Sequence, residues 1–378
     1  MMSCDSPVVF LTAAEVSGDT HAANLIRALK AACPQAVCVG VGGPRMAAAG
    51  CELIEDCVGD AAMLFDPLRK IPYYRRLIGR VAEEVARRKP AVMVPVDSPG
   101  LNWHMAAAAR RQGVPVMYYV APQVWAWAPW RIRKVRRWID HVACILPFEE
   151  AYFRRRGVAA TFVGHPLFDH VAPRTDAYPR PPADGAWRIV LLPGSRAGEV
   201  SRHASALVAA AERIGRRFPK AEFTLCAGDE RVAGWVREQV GRPLPLVVGR
   251  TTETMAASHL ALATSGTVTL EAASLGLPMV VFYRASRLLN AVARGWLIRT
   301  RYYTLVNILA NRPLVDEFIP WWGDPAPLAD AAVRALENPD RLIETSAALA
   351  ALADTLRPPD GRSASAVAAE LVLKTMRP

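Results

Sequence analysis

At the start of its second half, the chain reads Leu191-Leu192-Pro193-Gly194-Ser195-Arg196. Residues 188–192 are apolar and mostly branched, which predicts a buried parallel strand. Pro193 and Gly194 then end the strand. Residues 201–218 carry apolar side chains at about one helical turn of spacing, which predicts a helix. Strand, loop and helix in this order form the repeating unit of doubly wound α/β domains.

The loop at 193–196 suits an anionic group such as a diphosphate. Its backbone N–H groups, at Gly194 and Ser195, lie at the positive end of the following helix. Arg196 adds a permanent charge and a planar fork of donors. An ordinary strand-to-helix turn with a surface arginine explains this stretch equally well, so other stretches must decide.

The same alternation of strands and helices fills both halves of the chain. A stretch rich in proline, at 173–187, separates them and is typical of a linker. We therefore predict an α/β protein of the GT-B type, with two doubly wound Rossmann-like domains facing across a cleft. The predicted parts are a first domain at 1–172, the linker at 173–187, a second domain at 188–345 and a C-terminal helical segment at 346–378.

Composition limits the class of protein. The chain has 378 residues, enough for two domains. It has no apolar run of the roughly 18 residues that span a bilayer, and its N-terminus lacks a basic segment before the first apolar run. We therefore expect a cytoplasmic protein without a signal peptide. Seven cysteines without a C-x-x-C pair predict neither a disulfide framework nor a zinc site, and we expect no metal or cofactor.

The net charge of +11 indicates an acidic partner: nucleic acid, anionic lipid or a phosphorylated substrate. Basic residues are interleaved with apolar and aromatic ones on three predicted helices, which carry Arg75 and Arg76, Arg131 and Arg133, and residues 284–303. This mixture suits an anionic membrane interface, and a solvated helix face explains it about as well. No nucleic-acid-binding module surrounds these runs, so we expect no nucleic-acid partner.

Two carboxylates follow predicted strands, at the C-terminal ends of the strands, where catalytic groups collect in open α/β sheets. Asp97 comes directly after the strand at 91–96, and we predict that it is the general base. The alternative is a structural aspartate that caps the turn at 98–100. Glu15, after the first strand, is the rival base.

Two further stretches have residues typical of ligand binding. Ser265, Gly266 and Thr267 form a hydroxyl-rich turn that can hold phosphate, and Glu271 about one helical turn on can accept hydrogen bonds from ribose hydroxyls. Helix capping is the alternative for this turn. Trp125, beside a proline turn, could stack on a sugar or an acyl chain, and a packed loop core is at least as good an interpretation.

Motifs along almost the whole chain, taken in order and spacing, resemble those of the lipid-A-disaccharide synthases, glycosyltransferase family 19 with the GT-B fold. They lie at residues 15–19, 41–46, 124–127, 146–149, 164–166 and 191–196, at 265–267 with Glu271, and at 307–310. The resemblance implies an inverting transfer of 2,3-diacylglucosamine from its UDP derivative to the 6-hydroxyl of 2,3-diacylglucosamine 1-phosphate. The products would be the β-1,6 disaccharide 1-phosphate and UDP.

The resemblance also implies where the ligands bind. UDP would lie on the second domain, and the lipid acceptor near the first domain and the membrane. The chain would then be peripheral on the inner face of the inner membrane, and its oligomeric state stays open, a homo-oligomer included. The residues assigned to the acceptor or the membrane are Ser17, Asp19, Arg75, Arg76, Trp125, Arg131, Arg133 and Asn307.

Two departures from the family pattern concern the acceptor. Ala14 stands where the family usually has glycine, and residues 62–66 lack the usual Met-Gly with a glutamate three residues later. Two other functions remain open: a UDP-sugar 2-epimerase with the same two-domain plan, and a binding protein without catalysis. Dependence of UDP release on the acceptor separates the three.

Overall fold

The computed structural model of the protein describes residues 6–58, 70–171, 178–241, 244–284 and 300–376. The chain divides into two compact units. Unit 1 comprises Met1–His170 and Leu356–Pro378, and unit 2 comprises Val171–Thr355. Each unit has a hydrophobic core of its own. Among the described helices, none combines the length and the hydropathy needed to cross a membrane.

Unit 1 is built on a parallel sheet. Its strands within the described ranges are β1 (Val8–Thr12), β2 (Val37–Gly42), β3 (Glu52–Asp56), β4 (Val92–Pro95), β5 (Met117–Tyr119), β6 (His141–Cys144) and β7 (Ala159–Phe162). They pair in the orders β3-β2-β1-β4 and β5-β6-β7, and isolated parallel bridges join β4 to the segment around β5. The order reverses between β1 and β4, a switch point of the kind where α/β proteins bind ligands.

Helices cover this sheet. They are α1 (Val16–Ala32), α2 (Pro44–Ala48), α3 (Lys70–Arg88), α4 (Pro99–Arg111), α5 (Ile132–Trp138), α6 (Pro147–Arg154) and the C-terminal helix (Ala364–Thr375). Helix α3 buries Leu77, Val81 and Val85, which are spaced at successive helical turns, and leaves Arg75 and Arg76 exposed. The C-terminal helix packs on α1, so the end of the chain completes unit 1.

Unit 2 repeats the plan with a six-stranded parallel sheet. Its strands are β8 (Arg188–Leu192), β9 (Glu222–Ala227), β10 (Leu246–Val248), β11 (Leu260–Thr264), β12 (Met279–Arg284) and β13 (Asp316–Trp321). Their order, β10-β9-β8-β11-β12-β13, places the switch point between β8 and β11. The described helices are α7 (Ala197–Arg217), α8 (Glu230–Gln239), α9 (Thr251–Ala257), α10 (Val268–Ser274), α11 (Leu305–Ala310), α12 (Ala326–Leu336) and α13 (Pro339–Asp354).

The predicted class, α/β with two doubly wound domains, is confirmed, and strand β8 was predicted to the residue. Sequence reasoning missed β3 and β13, and both are edge strands. β3 has three acidic residues among its five, and β13 contains Pro320. Charged residues and proline are common in edge strands, because one side of such a strand makes no backbone hydrogen bonds to a neighbouring strand. These strands therefore lack the usual apolar pattern.

The units divide the chain differently from the predicted segments at 188–345 and 346–378. Unit 2 continues to Thr355 because α13 packs on α10 and α12, and the residues after it return to unit 1. Three expectations concern residues outside the described ranges: residues 172–177 of the linker region, the departure at 62–66, and residues 285–299 of the third basic helix.

Candidate active site

In unit 1, three polar side chains lie at the switch point between β1 and β4. Glu15 is exposed and precedes α1, and Ser17 lies in the first turn of that helix. Asp97 is the second residue after β4, and its Oδ2 atom accepts a hydrogen bond of 3.1 Å from the Ser17 hydroxyl. The fold therefore brings Ser17 and Asp97 into contact and leaves Glu15 two residues from that contact along the chain.

The backbone at Asp97 has an uncommon conformation. Asp97 has a φ of 53° and Ser98 a φ of 43°, both in the left-handed region that disfavours residues with a Cβ. The Ser98 hydroxyl is also buried, without a hydrogen-bond partner among the described residues. Strain and unpaired polar atoms collect at functional sites, where the surrounding structure holds them in place.

Asp19 and Trp125, both expected on the acceptor side, make internal hydrogen bonds. Asp19 is 2% exposed, and its carboxylate accepts the backbone N–H groups that open α2, those of Gly43, Arg45 and Met46, at 3.0 to 3.1 Å. The Trp125 indole donates to the buried Glu149 carboxylate at 2.8 Å. These contacts fix two loops at the edge of the sheet where Asp97 lies.

Glu149 is a second buried acid of unit 1, with no exposed surface. Burial raises the pKa of its carboxyl to about 7, against the opposing effect of its hydrogen bonds from Trp125, Leu146 and Ile145. The Trp125 ring also packs edge to face on Phe148, with centroids 4.8 Å apart. The Trp125 indole N–H and its ring contact with Phe148 are therefore used inside the protein, as expected of a packed loop core.

Asn307 lies in unit 2 and is fully buried. Its Nδ2 atom donates to the Val315 carbonyl at 2.9 Å, while its Oδ1 atom accepts from the N–H groups of Leu314 and Val315 at 2.8 and 3.0 Å. The amide thereby fixes the turn between α11 and β13.

The loop after β8 holds the first group of expected nucleotide-binding residues. The Glu199 carboxylate lies over it, with Oε2 accepting the N–H groups of Ser195 and Arg196 at 3.1 and 3.3 Å. Its Oε1 atom pairs with the Arg196 guanidinium at 3.2 Å. Gly194 has a φ of 109°, and a Cβ there would lie 2.7 Å from the Glu199 Cβ, so this close approach requires glycine.

The loop after β11 holds the second group. β8 and β11 are paired, and the Thr264 hydroxyl donates to the Leu192 carbonyl at 3.3 Å, so the two loops leave neighbouring strands side by side. Gly266 and Thr267 are exposed, and Ser265 is partly exposed. Further along, the Thr252 hydroxyl donates to Glu271 Oε1 at 2.5 Å and fixes that carboxylate. The fold thus groups all seven expected nucleotide-binding residues at one switch point.

The basic residues expected at a membrane lie on the surface of unit 1. Arg75, Arg76 and Arg133 are exposed, and the Arg131 guanidinium stacks over the Trp127 ring, 4.2 Å from its centroid. Trp127 and its neighbour Trp130 are 42% and 50% exposed, which is uncommon for the largest apolar side chain. Arginine beside exposed tryptophan is typical of a surface that meets lipid head groups.

Sequence reasoning missed three residues that contact the predicted ones: Glu199, Thr252 and Asn102, which is bonded to the Asp97 carbonyl. The three-residue spacing of Arg196 and Glu199 matches a capping box and could have revealed Glu199. No local pattern predicts the other two, because Thr252 bonds to a residue 19 positions away and the Asn102 amide is oriented by Thr12, 90 positions away. Within the described ranges, no three His, Cys, Asp or Glu side chains are grouped to hold a metal ion.

Comparison with known proteins identifies a sequence family. Residues 9–371 match the family described as Lipid-A-disaccharide synthetase. A lipid-A-disaccharide synthase from Solibacter usitatus is 37% identical over 360 residues, covering 93% of this chain and 93% of that protein. A lipid-A-disaccharide synthase from Syntrophus aciditrophicus is 33% identical over 379 residues, covering 98% and 99%.

Solved structures share the fold at low identity. A putative UDP-N-acetylglucosamine 2-epimerase from Listeria monocytogenes has a TM-score of 0.63 and 13% identity, covering 98% of this chain and 95% of its own. The glycotransferase of kitacinnamycin has a TM-score of 0.59 and 16% identity, covering 99% and 100%. The S. aureus MnaA-UDP co-structure has a TM-score of 0.59 and 12% identity, covering 97% and 94%. At these identities the likeness concerns the fold alone.

Proposed function

The chain belongs to the lipid-A-disaccharide synthase family, and on that premise we propose which of its residues bind the donor, activate the acceptor and meet the membrane. The enzyme is a glycosyltransferase of lipid A synthesis, with a sugar-nucleotide donor and a phosphosugar acceptor. It joins the 2,3-diacylglucosamine of UDP-2,3-diacylglucosamine to the 6-hydroxyl of 2,3-diacylglucosamine 1-phosphate. The epimerases among the structural neighbours share only the fold.

We assign the nucleotide to the switch point of unit 2. Arg196 and the N–H groups of Gly194 and Ser195 would bind the diphosphate, whose negative charge grows as the glycosidic bond breaks. Ser265, Gly266 and Thr267 would hold the rest of the phosphates, and Glu271 the ribose hydroxyls. The support is that one carboxylate, Glu199, already lies on the Ser195 and Arg196 donors, so their geometry suits an anion.

We assign the general base to Asp97, and one observation carries this assignment. Its carboxylate lies at the switch point of unit 1, hydrogen-bonded to Ser17 and carried on a left-handed backbone. An inverting displacement needs a group that removes the proton of the acceptor hydroxyl as its oxygen attacks the anomeric carbon opposite UDP. Ser17 would hold the carboxylate toward that hydroxyl, and Asp19 and Trp125 would shape the acceptor side through the loops that they fix.

The test is UDP release by the purified protein, given the UDP-diacylglucosamine donor with and without the phosphorylated acceptor. Release that requires the acceptor, with disaccharide as the second product, is the expected result. An epimerase would convert the donor without acceptor, and a binding protein would release no UDP in either case. Either of those results overturns the proposal.

The membrane surface is a second part of the proposal. The exposed Trp127 and Trp130 with the arginines of α3 and α5 would bind anionic head groups on the inner face of the inner membrane. Charge reversal at Arg75 and Arg76 should weaken binding to phosphatidylglycerol vesicles about 10-fold or more, since each arginine contributes on the order of 1 kcal/mol. UDP affinity should stay the same.

The matched control reverses Arg213 and Arg216, an exposed pair on α7 in unit 2, so that net charge changes equally. Vesicle binding should also fall as salt is added. If both double variants lose vesicle binding alike, net charge rather than this surface determines the association. Binding that ignores salt would likewise refute an electrostatic membrane site.

A further inference from the structure

We propose that Asn102 is a positioning residue for catalysis, and that with Thr12 and Tyr118 it forms a clamp on the backbone of Asp97. The clamp holds the Asp97 carboxylate within hydrogen-bond distance of the Ser17 hydroxyl. This inference rests on the proposed role of Asp97 as the base. None of the three clamp side chains lies on the surface, so the group acts through Asp97 rather than by contact with substrate.

Asn102 makes the central contacts. It is fully buried on α4, and its Nδ2 atom donates to the carbonyls of Asp97 at 2.7 Å and Val96 at 3.0 Å. The hydroxyl of Thr12 on β1 donates to Oδ1 of the same amide at 2.8 Å. An amide with its oxygen turned to a hydroxyl donor must turn its nitrogen to the two carbonyls, so Thr12 sets the orientation of Asn102.

Tyr118 completes the clamp from β5. Its hydroxyl donates to the Asp97 carbonyl at 2.7 Å, and burial raises the pKa of this phenol well above its ordinary value, so it stays a donor. On the other side, the N–H of Asp97 donates to the Tyr119 carbonyl at 3.1 Å. The peptide groups before and after Asp97 are therefore both held by α4 and β5, and β1 orients the Asn102 amide through Thr12.

These contacts stabilise an unfavourable backbone conformation at Asp97. A left-handed backbone at a residue other than glycine costs about 1 to 3 kcal/mol, and here two occur in succession. Without the donors, the peptide between Asp97 and Ser98 can relax to an ordinary conformation, which turns the carboxylate away from Ser17. A shift of about 1 Å in a catalytic group can lower turnover by as much as 100-fold.

The experiment uses substitutions that remove one hydrogen bond each and keep the volume. Thr12→Val and Tyr118→Phe should each lower turnover about 10-fold while leaving the KM values and UDP affinity unchanged. Thr12→Ser keeps the hydroxyl and should restore turnover to near the wild-type value. All variants are assayed well below their unfolding temperature, and Tyr118→Phe carries the test if Thr12→Val does not fold.

A double-mutant cycle with Asp97→Asn decides whether the clamp acts through Asp97. With the carboxylate removed, Thr12→Val and Tyr118→Phe should cause no further loss of turnover, since groups that act as a unit are not additive. Losses that multiply in the Asp97→Asn background, or single variants with normal turnover, overturn the inference. Full activity of Asp97→Asn itself would instead refute the proposed base, so the two failures are distinguishable.

Discussion

The loops at the two switch points differ in what their polar groups contact. In unit 1 the backbone around Asp97 is held by buried donors, while its carboxylate accepts a hydrogen bond from the Ser17 hydroxyl. In unit 2 the backbone N–H groups of Ser195 and Arg196 already bind a carboxylate, that of Glu199. Under the proposed assignments, the loop in unit 1 presents a carboxylate to the acceptor, and the loop in unit 2 exchanges the Glu199 carboxylate for the nucleotide.

The first prediction tests the presented group. Asp97→Asn should lower turnover by about 100-fold or more, because the amide keeps the shape but cannot take the proton. Folding and UDP affinity should be retained. Turnover in the acceptor-dependent assay and UDP binding by calorimetry measure the two effects separately.

Glu15→Gln is the matched control, because Glu15 precedes α1 at the same switch point and loses the same charge. A near-normal Asp97→Asn enzyme together with an inactive Glu15→Gln enzyme would transfer the role of base to Glu15. Loss of folding in Asp97→Asn would favour the alternative of a turn-capping aspartate.

The second prediction tests the loop after β8 as a diphosphate-binding site. Arg196→Ala should weaken UDP binding about 10- to 100-fold, the range expected for hydrogen bonds to a charged group. Arg196→Lys should recover part of the affinity, since lysine keeps the charge and lacks the planar fork. Calorimetric titration with UDP measures both. Equal affinity of Arg196→Ala and wild type would exclude a diphosphate contact.

The contrast between the loops also explains what the sequence could predict. Strand β8 and the loop after it follow from local patterns of apolar and turn residues. The Asp97 clamp joins residues from β1, α4 and β5, and Asn102 and Thr12 are 90 residues apart. Such partners depend on the sheet order, and single-sequence patterns carry no information about them.

Three residues with predicted ligand roles show the same limit. Asp19, Trp125 and Asn307 stand in motifs of the family, and their polar atoms hydrogen-bond inside the protein. A motif indicates that a position matters for the family, but it does not separate contact with substrate from support of a loop. Burial and bonding partners make that distinction, and they exist only in the folded chain.

The third prediction tests the exchange of anions in unit 2. Glu199→Gln should strengthen UDP binding about 5- to 10-fold, because the neutral side chain competes less for Ser195, Arg196 and the guanidinium. Glutamine also serves in capping boxes, so α7 should keep its N-terminus. Calorimetric titration measures the affinity, and thermal unfolding checks the helix.

Glu238→Gln, an exposed change on α8 in the same unit, is the control for lost charge alone. If Glu199→Gln binds UDP more weakly than wild type, Glu199 organises the loop for the nucleotide rather than competing with it. An equal gain in UDP affinity in both variants would show that the loss of negative charge from the unit, rather than the position of Glu199, causes the effect.

The last prediction compares one buried titratable group from each unit. His203 on α7 accepts the Arg284 N–H at 3.1 Å, and burial, with the nearby Arg202 as a further cause, lowers its pKa to about 4. Between pH 6.5 and 5.5 the unfolded chain takes up this proton and the folded unit does not, so acidification lowers the unfolding free energy of unit 2, by about 1 kcal/mol for this group. His203→Gln keeps a hydrogen-bond acceptor and removes the titrating group. On going from pH 6.5 to 5.5, unit 2 of this variant should therefore lose about 1 kcal/mol less unfolding free energy than that of the wild type.

Glu149 in unit 1 should respond with the opposite sign. Its raised pKa, about 7, means that the folded unit mostly holds this proton throughout the same interval while the unfolded chain stays ionised. Its contribution therefore stabilises unit 1 by about 1 kcal/mol on acidification, and Glu149→Gln removes that gain. Hydrogen exchange of the slowest amides in β8 and in β1 at pH 6.5 and 5.5 measures each unit separately. If the two substitutions change the pH dependence of unfolding free energy in the same direction, the lowered pKa of His203 and the raised pKa of Glu149 cannot both be right.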